Sequence, residues 1–474
     1  MTTGTEAATI WDRTRLGITL GSVVLIFLAA IEALAVTTVM PVVSADLHGE
    51  ALYAVAFSGT LATSVIGMVA AGSWSDRAGP RAALYTSVAL FLAGLIVSGA
   101  APDMYTFLAG RLIQGLGAGG QTVALYVVVA RVYPPHLHGR IFAAYAAAWV
   151  VPSMIGPFLA GLVTELLHWR WAFLGVAVLT AAAFVLVVQR LSGVRLEADA
   201  GGDRDAEDAA QDTGAAHDAD AGSASPGAFA TRMVLAVVVA ACAVGVGFTV
   251  ELPLGSGGPL AVVGILVIAV ALLPLLPRRT LRAAPGLPSV VLTRGLIAGA
   301  FFAAEAYIPK LLMDDHHFSP SIAGLALTLA ALGWSSASAA QGRYGDRLGS
   351  RRIMLIAFVL LMLALLGILC VVLLWPLPWI VVIGWGIAGA GMGLLYPRLT
   401  VLTLAYSTTR DEGFNSSALS ISDATGSALA VAVAGLGFVA LPLLGTGYAT
   451  VYLFAAVLSV VALLPGLRMG DARR

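Results

Sequence analysis

Charge is scarce in this chain. Of its 474 residues only 11% are Asp, Glu, Lys or Arg, against about 25% in a soluble domain. Such a chain cannot cover a water-facing surface, so its solvent is mostly lipid. Lysine is almost missing: Lys310 stands alone against 25 arginines. The formal net charge is zero, which removes the basic footprint that a nucleic-acid partner requires. The two cysteines, Cys242 and Cys370, fall in separate apolar runs; they read as buried small apolar side chains, not as a disulfide or a metal site. Asn415 is the one asparagine, and the apolar runs hold few glutamines (Gln114, Gln121, Gln189 and Gln341). A sugar site, which needs many amides and hydroxyls, is therefore disfavoured. No nucleophile–base spacing, phosphate loop or metal-ligand motif appears, and the glycine strings lie inside apolar runs. His316 and His317 follow Asp314 and Asp315, which reads as a solvated loop. The expectation is a chain with no enzymatic chemistry, no metal and no cofactor.

What the chain has in abundance is hydrocarbon: 59% of residues are hydrophobic and the mean hydropathy is +0.92. A spanning helix needs about 20 mostly apolar residues. Fourteen runs qualify: 16–43, 51–73, 83–101, 105–130, 141–163, 171–189, 233–250, 258–276, 289–309, 320–341, 353–374, 377–397, 415–440 and 446–467. The first is too long for a signal peptide and is expected to remain as a spanner. Arginines gather at both ends and at the odd-numbered turns, among them Arg13, Arg15, Arg131, Arg140, Arg190, Arg278, Arg279 and Arg468; the opposite side holds only Arg170 and Lys310. The positive-inside rule puts both termini in the cytoplasm, as an even number of spans requires.

Residues 191–230 break the pattern with nine acidic residues among Ala, Gly and Ser. Nothing apolar there can stabilise a fold, so the segment reads as a disordered acidic cytoplasmic linker. The fold class that follows is an all-α integral membrane protein. Residues 1–190 form an N-terminal six-helix bundle, 231–285 two additional transmembrane helices, and 286–474 a C-terminal six-helix bundle.

The two bundles are related. Gly72-Ser-Trp-Ser-Asp76-Arg77-Ala-Gly79-Pro-Arg81 returns as Gly342-Arg-Tyr-Gly-Asp346-Arg347-Leu-Gly349-Ser-Arg351, 270 residues later. Gly110-Arg111-(x3)-Gly115-x-Gly117-x-Gly119 is echoed by Gly384-Trp385-(x3)-Gly389-x-Gly391-x-Gly393. Small residues at that spacing let helix backbones approach closely in lipid. The packing positions are kept in both copies, whereas the arginine has become tryptophan in the second. Duplicated membrane transporters are built this way, with the substrate site between their halves.

These motifs resemble the major facilitator superfamily. The Gly72–Arg81 turn is similar to its signature loop between helices 2 and 3, and Arg111-Leu-Ile-Gln114-Gly115 to its helix 4 motif. Gly156-Pro157-Phe-Leu-Ala-Gly161 resembles the helix 5 motif of antiporters, with Pro152 or Val151 where an upstream glycine is often found. Glu32-(x8)-Pro41 and His168-Trp169-Arg170-Trp171-Ala-Phe173 resemble segments of the fourteen-spanner drug:proton antiporters, which usually carry Asp at the position of Glu32. The resemblance implies that Gly72, Asp76, Arg77, Gly79 and Arg81, with Asp346, Arg347 and Arg351, form a cytoplasmic latch. It also implies that Gly156, Pro157 and Gly161 make a hinge that seals a proton leak, and that Arg111 assists proton transfer near the helix 1 acid.

Four charges inside apolar runs stand out: Glu32, Arg111, Glu305 and Asp423. A charge at the bilayer centre costs about 2.5–3.5 kcal/mol on insertion scales. Burial also disfavours the charged form of a carboxyl group, so an acid in a span can load and shed a proton, which proton coupling requires. Glu32 reads as a proton-coupling acid or as half of a structural pair with Arg111. Glu305 reads as a second proton site or an attractor of cations, or as a wetted partner of Lys310. Asp423, after Ser417, Ser420 and Ser422, reads as a coupling acid or as a hydrated residue near the cytoplasmic start of its helix.

An anionic substrate would want several deep cations, and only Arg111 reads as deep. Gln114, Tyr126, Tyr145, Trp149, Phe301, Tyr307 and Trp334 are the candidate substrate-binding side chains. Apolar walls with acids suit a lipophilic, neutral or cationic molecule. The expected function is a proton-coupled exporter driven by the proton gradient and working by alternating access. The expected setting is a bacterial cell membrane, with the lipid bilayer, protons and a small lipophilic substrate as partners and a monomer as the working unit. An uptake symporter and a non-transporting membrane sensor are the alternatives.

Overall fold

A computed structural model describes residues 13–191, 226–374, 377–408 and 411–470. Among these residues every regular element is helical, and 14 helices are long and apolar enough to cross a membrane. They are α1 (Arg13–Asp46), α2 (Tyr53–Ala78), α3 (Pro80–Gly99), α4 (Met104–Val132), α5 (Pro135–Leu166), α6 (Arg170–Leu191), α7 (Pro226–Phe248) and α8 (Leu254–Leu272), then α9 (Leu287–Asp314), α12 (Trp379–Ala405), α13 (Glu412–Ala440) and α14 (Gly447–Gly466). Between α9 and α12 one helical run, Pro320–Leu374, breaks at Gly349; its two spans are α10 (Pro320–Gly345) and α11 (Arg347–Leu374).

Two sequence readings change. Helix α7 begins at Pro226, inside the segment read as linker, because Pro suits a first helical turn; residues 192–225 of that segment lie outside the described residues. Cys370 is exposed and Cys242 intermediate, since an apolar run in lipid turns one face outward to hydrocarbon as well as another inward.

The duplication is visible in the packing. In the first half α4 sits between α2 and α3, and in the second α12 sits between α10 and α11. The glycine strings make both arrangements possible. A Cβ on Gly115 or Gly119 would strike the backbone of Thr60 or Ser64 on α2; on Gly389 or Gly393 it would strike Ala330 or Trp334 on α10. Thr60 and Ala330 are 270 positions apart, as are Ser64 and Trp334. Gly117 meets Phe91 of α3 as Gly391 meets Ala357 of α11. The remaining neighbours match too: α1 packs on α5 and α6, and α9 on α13 and α14. Local caps hold individual starts. Asp103 accepts from the Thr106 N–H and hydroxyl, both at 2.9 Å, to begin α4, and those hydrogen bonds lower its carboxyl below the usual range.

The halves meet along two repeat-related seams, α2 against α13 and α5 against α10. The helix 5 motif lies in the second. Gly161 abuts the Pro320–Ser321 backbone, and Gly324 abuts the Pro157 carbonyl. Interhalf hydrogen bonds close the end opposite the two repeated turns. Tyr53 Oη donates to the Ala306 carbonyl at 2.6 Å, and the Ser321 N–H donates to Glu165 Oε1 at 2.7 Å. The additional helices α7 and α8 dock beside the α2–α13 seam through Ala240, Ala243 and Ile268 against Ala62 and Ala428.

Candidate functional site

A cavity of about 600 Å³ lies between the halves, lined by Leu34 and Thr37 of α1, Trp149 and Ser153 of α5, and Phe301, Phe302 and Glu305 of α9. Trp334 and Ser338 of α10 and Tyr396 of α12 complete the wall, with Arg294 at one end. A second cavity, of about 510 Å³, shares Trp149 and Arg294 with the first and is lined by Gln121, Tyr126, Phe142, Tyr145 and Asp423. Tyr126 lies in the last third of α4 and Phe142 near the start of α5, so this second space lies toward the repeated turns. Trp149, Phe301 and Trp334 therefore face the central space, and Tyr126 and Tyr145 the adjoining one.

Two candidate substrate residues do not face either cavity. Gln114 is fully buried and accepts a hydrogen bond from Arg111 Nη1 at 2.6 Å; an arginine buried in lipid needs acceptors, and Gln114 supplies one. Tyr307 is buried against Tyr53 and Phe438, with ring centroids 5.3 and 5.0 Å away, in the aromatic packing that closes the end opposite the repeated turns.

The structure joins Glu32 and Arg111. Each is 4% exposed, and Arg111 Nη1 donates to Glu32 Oε1. Arg111 Nε also reaches the Ala56 carbonyl at 3.4 Å. The pair stands behind the cavity wall, and Leu34 and Thr37 on the same helix reach the cavity itself.

Glu305 is placed differently. It lines the cavity and accepts a hydrogen bond from Trp385 Nε1 at 3.2 Å. Lys310, the partner weighed for it, instead contacts Asp314 one helical turn on, at 2.7 Å, because an i,i+4 spacing aligns two side chains where a five-residue offset does not. Asp314 also accepts from Tyr448 Oη at 3.0 Å.

Asp423 does not sit at a helix start; α13 begins at Glu412. Its Oδ1 accepts from Arg294 Nε at 3.0 Å and from Tyr396 Oη at 2.9 Å, and the Arg294 guanidinium lies 3.5 Å from the Tyr396 ring centroid. Arg111 is thus not the one deep cation. Arg294 was missed because it stands six residues into its apolar run and resembles a flanking charge; α9 starts at Leu287, which places Arg294 two turns inside.

At the repeated turns, Gly79 and Gly349 both have positive φ, 80° and 73°. Arg131 Nη2 donates to the Ser75 carbonyl at 2.9 Å, and Arg398 Nε to Ser350 Oγ at 2.9 Å. Arg77, Arg81, Arg347 and Arg351 are at the same end; the side chains of Asp76 and Asp346, expected in the latch, lie outside the described residues. At the opposite end, Asp46 accepts from Trp169 Nε1 at 2.9 Å and Arg170 Nη1 at 3.3 Å. The His168-Trp169-Arg170 segment thereby ties the start of α6 to the end of α1.

Two pseudo-symmetric helix bundles around a central cavity, with one ion pair buried and a second half-buried at the cavity wall, mark a multi-pass membrane transporter. The Major Facilitator Superfamily model matches residues 22–304 and 290–471, and the chain belongs to that family. It is 33% identical over 147 residues to an acurin A biosynthesis cluster MFS-type transporter of Aspergillus aculeatus, covering 31% of this chain and 26% of that protein. It is 32% identical over 163 residues to an uncharacterized MFS-type transporter of Mycobacterium tuberculosis, covering 33% and 24%. The chain spans about a quarter of the length of the curated relatives it matches. Among solved structures it is similar to a D-xylose-proton symporter (TM-score 0.65, 14% identity, 96% of this chain and 98% of that one). It is also similar to a POT family transporter in complex with 5-aminolevulinic acid (TM-score 0.67, 14% identity, 95% and 97%). At these identities the likeness is one of fold.

Proposed function

We propose that this chain is a proton-coupled exporter of lipophilic, neutral or cationic small molecules, working by alternating access in a cell membrane with both termini in the cytoplasm. The proton gradient drives it, and it transports its cargo without transforming it. The observation that carries this reading is the buried Glu32–Arg111–Gln114 network, anchored on the same helix α1 whose Leu34 and Thr37 line a cavity walled mainly by apolar and aromatic side chains. A carboxylate in lipid stays ionised when an arginine compensates it, and becomes easier to protonate when the partner moves away. A shift of α1 relative to α4 within the first bundle, coupled to the rocking of the two bundles, would alternate these two environments. Proton uptake and release at Glu32 would then be tied to which side the cavity faces.

The seams support the same reading. Gly161 and Pro157 pack against α10 of the other half, where a bend in α5 transmits directly into the relative tilt of the bundles. A susceptibility and dye-efflux panel in an efflux-deficient host tests the function. The native chain lowers dye retention and raises tolerance to lipophilic compounds, and Glu32→Gln reaches the membrane but does neither. Net accumulation of the compounds instead of their loss would make the chain an uptake system and refute export.

A further inference from the structure

Glu32 on α1 and Glu305 on α9 occupy the first helix of each core half, and Arg111 on α4 and Trp385 on α12 occupy matching positions in the repeated glycine motif. The structure pairs them in the same order: Arg111 donates to Glu32, and Trp385 Nε1 donates to Glu305. One acid–donor contact has thus been built twice, with a guanidinium in one half and an uncharged indole in the other. The first acid is buried behind the cavity and compensated. The second lines the cavity without a compensating charge among the described residues.

The neighbouring cation does not alter this. Arg294, which also lines the cavity, is engaged with Asp423. It lies eleven positions before Glu305 on α9, about 16 Å away along a helix rising 1.5 Å per residue. What surrounds Glu305 is aromatic. Phe301, one turn earlier on the same face, stacks on Trp385 with centroids 4.7 Å apart and 19° between planes. Trp334 meets Phe301 at 5.7 Å and Tyr396 at 4.7 Å. A carboxylate at the wall of an aromatic chamber attracts an organic cation through charge and through the ring faces together.

Building on the exporter reading above, we propose that the exchange of arginine for tryptophan between the repeats divides the work of the two acids. Glu305 is the specificity residue that receives the positive charge of the cargo, and Trp385 is the positioning residue that aims it. The cargo class is a monocation, a quaternary or protonated centre on an aromatic or apolar body. Glu32 is left to the proton. Trp385 is fully buried and held by Phe301, so its N–H fixes the carboxylate without neutralising it.

The test uses the full chain purified in detergent and radiolabelled tetraphenylphosphonium as the probe, with binding measured at equilibrium. Glu305→Gln, nearly isosteric but uncharged, is expected to weaken binding at least tenfold; Glu305→Asp, shorter but charged, should retain affinity within about threefold. A packing role would give the reverse order. Trp385→Phe should lose affinity several-fold. Trp385→Arg, which recreates the pairing of the first half, should lose it at least tenfold. Equal affinity of Glu305→Gln and the native chain, a better Gln than Asp variant, or no binding by the native chain overturns the proposal. Energised flux measured separately in vesicles keeps the two ideas apart. Native flux that Glu32→Gln stops, together with cation binding indifferent to Glu305, sinks this inference and leaves the exporter standing.

Discussion

Gly79 and Gly349 hold the same positive-φ, extended-ψ backbone conformation, φ 80° and ψ 160° at the first and φ 73° and ψ 157° at the second. Gly79 ends α2 and starts α3 at the arginine-rich end, and Gly349 breaks the continuous run that carries α10 into α11 at the same end. That region is essentially reserved for glycine, and an L side chain forced into it costs about 1–3 kcal/mol, so Gly79→Ala and Gly349→Ala should each lower the melting temperature in detergent and slow transport. Gly72→Ala is the control. Gly72 is within a helix, and its added methyl meets only Val123, at 3.6 Å. Its melting temperature should be unchanged or slightly raised, since alanine favours a helix over glycine.

Gly119 and Gly393 make a second repeat-related pair, each pressed against the backbone of the neighbouring helix. Alanine at either forces α4 from α2, or α12 from α10. Overpacking of this kind costs about 1–3 kcal/mol, and the two variants should be destabilised to a similar extent in thermal unfolding. Gly342→Ala, with open space around the added atom, should not be.

Glu165 reaches across the outer seam to the first turn of α10. Removing a side-chain cap costs about 0.5–2 kcal/mol, and here the loss falls only on the conformation in which the outer end is closed. Glu165→Ala should therefore shift the population toward outward-open by roughly two- to thirtyfold. Distances between spin labels at the outer ends of α5 and α10 report this; an unchanged distance distribution would mean that the contact does not stabilise closure.

Arg294 and Asp423 form the ion pair at the junction of the two cavities. Asp423→Asn leaves Arg294 without its counter-ion and should lower both stability and transport. In the double variant Arg294→Gln with Asp423→Asn, part of the loss should return. A double-mutant cycle is expected to give a coupling of about 0.5–3 kcal/mol, and strict additivity would show that the two act independently.

Most of the architecture was legible because lipid makes the signal simple. Long apolar runs separated by arginine turns mark the spans, and the duplicated Gly72–Arg81 turn marks the halves. The Glu32–Arg111 contact was readable for a related reason, since two lone opposite charges in hydrocarbon have strong cause to meet. Partners supplied by uncharged groups were not readable. Nothing in the sequence announces that the Trp385 indole, the Gln114 amide or the Tyr396 hydroxyl would satisfy a buried charge, and each depends on helix rotation that an all-apolar run leaves undetermined. The same indeterminacy put Tyr307 among the cavity residues when it packs in the outer closure. Arg294 escaped notice because the true start of α9 is set by Gly286, with φ 85°, and not by the edge of the hydrophobic run.

Proton movement provoked by cargo tests the central claim most directly. Inside-out vesicles are energised to an acidic interior, a lipophilic substrate from the efflux panel is added, and the pH gradient is followed by the quenching of a fluorescent amine. With the native chain the gradient should partly collapse on addition, and with Glu32→Gln it should hold. A native chain that leaves the gradient untouched while moving the compound, or a Glu32→Gln chain that collapses it as the native one does, would contradict proton exchange at Glu32.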